Sequence, residues 1–100
     1  MIGHIKARQV FRFHEIRGDL TVEMVIWLLP APTSDRPHGL KYRLYCGRNG
    51  RSVVRYDNET GKGDHRHYGR REEAYVFESV EKLVADFESD CERLTGWGWE

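Results

Sequence analysis

The stretch Arg55-Tyr56-Asp57-Asn58-Glu59-Thr60-Gly61-Lys62-Gly63-Asp64-His65-Arg66-His67 holds the densest group of side chains able to do chemistry in this sequence. Histidine titrates near pH ~6.5 when unperturbed, so His65 and His67 suit general-base and general-acid duty near neutrality. Arg55, Lys62 and Arg66 supply positive charge for a phosphate and for the charge that builds on it in a transition state. Asp57 and Asp64 are carboxylates of the kind that orient a histidine or an arginine. These are the parts of a nucleolytic site that cleaves RNA without a metal: a base for the 2′-hydroxyl, an acid for the leaving oxygen, and cations on the phosphate. Gly61 and Gly63 let backbone amides approach a phosphate, although the spacing of a Walker loop is absent.

Two other readings of this stretch stand beside the nucleolytic one. Asp57, Asp64, His65 and His67 are metal-ligand types, and the two histidines share a face if the chain is extended. Against a metal site, Lys62 and Arg66 repel a divalent cation and no Cys2His2-type spacing is present. The blander reading is a solvated turn with a charge-balanced tip. Tyr42, Tyr45, Tyr56 and Tyr68, interleaved with Arg43, Arg55 and Arg66, suit base stacking beside phosphate contacts, and equally suit ordinary sheet packing. His4, His14 and His38 are isolated and read as surface residues.

The elements that must position these residues follow from hydrophobic period and turn chemistry. Phe11 and Phe13 alternate with Arg12 and His14, and Val22, Met24, Ile26 and Leu28 alternate with Glu23, Val25 and Trp27. Gly18-Asp19 between them suits a two-residue hairpin turn, which sets Phe13 opposite Met24 and Phe11 opposite Ile26. All three prolines fall between Pro30 and Pro37, which makes that stretch a loop. A third strand runs from Leu40 to about Cys46, and Asn49-Gly50 turns it into a return strand from Arg51 to Asp57. A two-residue turn there pairs Cys46 with Val53, Leu44 with Arg55 and Tyr42 with Asp57, so that Arg55 and Asp57 continue the Leu44/Cys46 face. A bulge would shift that register by one.

Residues 58–71 read as a glycine-dotted charged loop, and Tyr75-Val76-Phe77 as a short strand. From Ser79 the apolar period becomes helical through Val80, Leu83, Val84, Phe87, Cys91 and Leu94, with Ser79 as N-cap and Gly96 as stop. The only surface available to bury that stripe is the sheet. The expected fold is α+β: an antiparallel sheet of two hairpins plus a short strand, with a C-terminal helix packed on one face.

One hundred residues fit a single small domain, residues 1–100. Aromatic residues make up 12% of the chain, which argues against disorder. No apolar run approaches a membrane span. No cationic leader with an apolar core opens the sequence, so the expected location is cytoplasmic. Cys46 and Cys91 read as reduced, buried thiols. The net charge of zero hides a division. Residues 41–71 carry nine basic and three acidic side chains, whereas residues 72–100 carry two basic and nine acidic ones. A basic middle suits a polyanion, and the acidic face of the helix (Glu81, Glu88, Glu92) should then point away from it.

The run Val54-Arg55-Tyr56-Asp57-Asn58 followed by Gly61-Lys62-Gly63-Asp64-His65-Arg66-His67 resembles the signature of the TumE family of toxin–antitoxin proteins. The resemblance extends to Val22–Trp27, to His38–Leu44 and to Leu83–Phe87, and so covers nearly the whole chain. It implies a toxin held in check by a helix-turn-helix antitoxin encoded beside it. RNA cleavage is the commonest activity among such small toxins, by analogy only. The resulting expectation is a metal-independent endoribonuclease acting on RNA without a cofactor, compatible with a homodimer and with no membrane partner. His65, His67, Asp57 and Asp64 are its candidate catalytic residues; Arg43, Arg55, Tyr56, Lys62 and Arg66 are its candidate substrate ligands. The alternative is a non-catalytic nucleic-acid-binding or regulatory module of the same pair.

Overall fold

A computed structural model of the chain describes residues 6–59 and 61–99. His4, expected at the surface, lies outside the described residues. The first hairpin joins β1 (Arg8–Arg17) to β2 (Leu20–Leu28), with Gly18 at φ 59° in the turn. Phe13 lies opposite Met24 and Phe11 opposite Ile26, the register that the turn chemistry predicts. The β2 residues Val22, Met24 and Ile26 are buried. Phe11 stays 40% exposed, because β1 is the outermost strand on its side of the sheet. The proline-containing stretch carries no strand and is held at its base by a hydrogen bond from Leu29 N–H to the Gly39 carbonyl, 2.9 Å.

The second hairpin joins β3 (Leu40–Arg48) to β4 (Arg51–Asp57). Asn49 at φ 52° and Gly50 at φ 76° occupy the left-handed region, as a primed two-residue turn requires. A bulge follows immediately: Gly47 pairs with Ser52, but Cys46 pairs with Val54, Leu44 with Tyr56 and Tyr45 with Arg55. This corrects the unbulged register. Side chains alternate along a strand, so a one-residue shift moves every later residue of β4 to the opposite face. Val54 and Tyr56 enter the core; Arg55 and Asp57 leave the Leu44/Cys46 face for the other one.

The charged stretch after β4 is also more ordered than a loop. β5 (His65–Tyr68) and β6 (Arg71–Ala74) extend the sheet, which runs antiparallel in the order β1-β2-β3-β4-β5-β6. Without β5, the outer edge of β4 would leave backbone donors and acceptors unpaired. Tyr75–Phe77, expected as a strand, is irregular; Tyr75 instead packs edge-on against Tyr56 with centroids 5.1 Å apart.

Helix α1 (Val80–Thr95) starts where Ser79 Oγ accepts from Lys82 N–H and ends at Gly96, φ 79°, whose N–H donates to the Glu92 carbonyl. Leu83, Phe87 and Cys91 are fully buried against the sheet. Cys46 and Cys91 are free, buried thiols. Among the described residues, no helix is long and apolar enough to cross a membrane.

A polar clamp secures helix to sheet. Tyr56 and Tyr68 each donate a hydroxyl hydrogen to Asp90 Oδ2, at 2.5 and 2.6 Å, and Arg93 donates to Oδ1. Burial by itself would raise the Asp90 carboxyl, but the three donors outweigh it and hold the group below its ordinary value of 3.8. Asp90→Ala is expected to cost roughly 2–4 kcal/mol by stripping the buried Tyr56 hydroxyl and the partly buried Tyr68 hydroxyl of their acceptor. Because the folded value is depressed, the carboxylate's contribution is complete above pH 3.8 and is lost as pH falls through the folded value. Urea unfolding of wild type and variant across acid pH checks both statements.

Candidate functional site

The bulge decides what shares a surface. On β4, Arg55 and Asp57 face away from the helix, and in the pairing with β5 Asp57 lies opposite His65 and Arg55 opposite His67. The β5–β6 pairing sets Glu72 opposite His67. Three adjacent strands therefore bring five chemically capable side chains together on the uncovered face.

Their contacts are close. Arg55 Nε donates to Asp57 Oδ2 at 2.7 Å, and Arg55 Nη2 to His67 Nε2 at 3.1 Å. His65 Nε2 lies 2.6 Å from Asp57 Oδ1 in an ion-pair contact whose geometry is not that of an aligned hydrogen bond, leaving Oδ1 buried without one. His65 Nδ1 donates to the Gly63 carbonyl at 3.0 Å, since a carbonyl only accepts. Glu72 Oε1 is 3.4 Å from Nε2 of both histidines. Asp57 and His65 are buried, while His67 is partly open. Burial, and after it the positive charge of Arg55, lowers the His67 pKa below 6.5 and so favours the neutral ring. Such an imidazole can take a proton from a hydroxyl once the guanidinium that bonds its Nε2 turns to a phosphate.

Asp57, His65 and His67 also bring one ligand atom each within 4.8 Å of one another, a donor set that a divalent cation accepts. The Arg55 guanidinium is already bonded to two of these three residues. The positive charge that a metal would bring is thus supplied by the chain itself, and an ion would have to displace the arginine.

The other sequence candidates are dispersed. Asp64 accepts from the Tyr42 hydroxyl at 2.6 Å and lies 3.0 Å from His38 Nε2, so it serves neither His65 nor His67. His38, read from sequence as an isolated surface residue, is packed against Phe77 with ring centroids 4.1 Å apart. Arg66 and Tyr56 lie on the helix-facing side: Arg66 donates to the Tyr56 hydroxyl and to Glu73, and Tyr56 is fully buried. Lys62 is exposed at the rim, 4.0 Å from Glu72. Arg43 is exposed on the open face, opposite Asp57 in the β3–β4 pairing and 3.3 Å from Glu23. Sequence reasoning missed Glu72. Once Arg71–Ala74 is recognised as a strand, alternation alone would have placed it beside His67.

The family model described as Toxin TumE matches residues 3–95. No curated protein and no solved structure matches the chain.

Proposed function

We propose RNA cleavage as the activity of this chain, which belongs to the TumE toxin family and is therefore the toxin of a toxin–antitoxin pair, with an antitoxin as its partner. The reading rests on one observation: the contacts Arg55–Asp57, Arg55–His67 and Asp57–His65 link these four side chains on the sheet face opposite α1. As the Arg55 guanidinium turns from His67 Nε2 to the phosphate, the freed ring nitrogen takes the proton of a ribose 2′-hydroxyl. The 2′-oxygen bonds to phosphorus and the bond to the 5′-oxygen breaks. Arg55 holds the phosphate and offsets the charge that develops on it. His65, steered by Asp57, returns a proton to the departing 5′-oxygen. The products are a cyclic 2′,3′-phosphate and a free 5′-hydroxyl, and no step calls on a metal. The chain would work in the cytoplasm, as one domain, where its RNA is found.

The same face explains how a partner could silence the chain. Arg43 and Arg55 stand on the open face, whereas α1 with its acidic residues packs on the other face. An antitoxin of the helix-turn-helix class that presents acidic groups there would exclude RNA. The non-catalytic alternative is favoured by one contact: Arg55 occupies Nε2 of His67, the nitrogen that catalysis would need as a base.

Purified protein incubated with single-stranded RNA, with and without EDTA, separates the readings. Cleavage that survives EDTA supports the proposal. Loss of cleavage in EDTA transfers the site to a metal, and binding without cleavage supports the non-catalytic reading. RNA binding is expected to weaken steeply with salt, as phosphate contacts require. Arg43→Glu and Arg55→Glu should each weaken it, and Glu88→Lys on α1 should leave it nearly unchanged. Equal losses from all three in filter binding would mean that the open face is not the RNA surface.

A further inference from the structure

On the opposite side of Asp57 from His65, the open face sinks into a cavity of about 250 Å³ lined by Trp27, Lys41, Tyr42, Arg43, Asp57 and Glu59. Trp27 and Lys41 are cross-strand partners that both line the cavity, and Lys41 Nζ lies over the indole 5.3 Å from its centroid, so a base stacking on that face takes the place of the ammonium, which then turns to the base edge or phosphate. Asp57 belongs both to this cavity and to the Arg55/His65 contacts, so whatever fills the cavity sits directly beside those groups. The volume is below the roughly 300–1,000 Å³ of pockets for drug-sized ligands and suits one planar ring system. An indole wall, two cations and two carboxylates, of which Asp57 is already engaged by Arg55, are the chemistry of a nucleobase seat: stacking for the ring, charge for the adjoining phosphate, and acceptors for the base edge.

We propose that this cavity is a nucleobase subsite selective for guanine, seating the base next to the cleaved bond. The inference rests on the RNA-cleavage reading for its biological role, but not for the binding itself. Trp27 stacks the base. Glu59, exposed at the cavity mouth, accepts from the guanine ring N–H and the adjacent amino group, two donors side by side that match the two carboxylate oxygens. Lys41 or Arg43 donates to the neighbouring O6. Uracil offers a single ring N–H flanked by two carbonyls, which a carboxylate repels. Cytosine and adenine each place an acceptor beside their amino group. Guanine alone satisfies both oxygens and the cation together.

The test pairs binding with cleavage. GMP, CMP, AMP and UMP are titrated calorimetrically into the full chain, and cut positions are mapped on an RNA containing all four bases. GMP is expected to bind about tenfold or more tighter than UMP, and cuts are expected to fall beside guanosine. Trp27→Leu should weaken GMP binding about tenfold, since base–aromatic stacking has that magnitude. Glu59→Gln should abolish the preference over UMP, and because this side chain is exposed, the variant keeps the fold. Selective GMP binding without any cleavage would retain the subsite and overturn the catalytic reading. Cleavage without base preference, with equal binding of the four nucleotides, would retain the catalytic reading and overturn the subsite. Unchanged GMP binding in both variants would also overturn it.

Discussion

His67→Ala is expected to lower RNA cleavage by about 10²–10⁴-fold, the usual contribution of a positioned general base, and to relieve growth arrest when the toxin is expressed without its antitoxin. The protein should still fold, because His67 is only partly buried and its removal leaves Arg55 bonded to Asp57. His65 offers no such clean separation. It is buried with its ring between Asp57 and the Gly63 carbonyl, so His65→Ala leaves the buried Asp57 carboxylate without its neighbour and lowers stability together with activity. Full toxicity in His67→Ala would remove this residue from the mechanism. The pH dependence carries a second signature. Burial and then the Arg55 charge disfavour the His67 imidazolium, so the acid limb of the rate profile should lie below 6.5. In the window between that lowered value and 6.5 the unfolded chain binds a proton that the folded chain does not, so stability declines as pH falls through it. His67→Gln should remove both effects.

Phe87→Ala should destabilise the fold by about 3–5 kcal/mol, measured by urea or thermal unfolding. Phe87 is fully buried and meets Tyr56 edge-on at 5.8 Å, and Tyr56 in turn is fixed to Asp90. Truncation leaves a cavity where α1 meets β4, and the surrounding aromatic and polar contacts limit its collapse. A small domain has about 5–15 kcal/mol in total, so the variant should be marginal at physiological temperature. Phe11→Ala is the control: the same chemical change on a 40% exposed edge residue should cost far less. Equal losses at the two positions would mean that the helix–sheet contact is not the main source of stability.

The sequence alone determined the features whose causes are local. Gly18-Asp19 and Asn49-Gly50 specify their turns within two residues, and the apolar period between Ser79 and Gly96, with its caps, specifies the helix. The side chains of the site were legible as a composition, and Arg55 with Asp57 as residues of one strand face. Which face that is depends on the bulge beside Gly47, where a Cβ would run into the Tyr45 ring and approach the Arg51 carbonyl at 2.9 Å. Side chains in a strand repeat every two residues, so a single extra residue there reverses the surface of everything that follows. The strands β5 and β6 show the same dependence on partners. His65–Tyr68 and Arg71–Ala74 are short and charged, without an apolar alternation of their own, and they are strands because β4 offers β5 an edge and β5 in turn offers one to β6. That pairing brings His65 and His67 to Asp57 and Arg55, and the same alternation turns Arg66 to the helix side. Asp64, just before β5, goes to His38 and Tyr42 instead. The site's members were written in the sequence; their assembly was decided by cross-strand pairing, which joins residues that no local spacing relates.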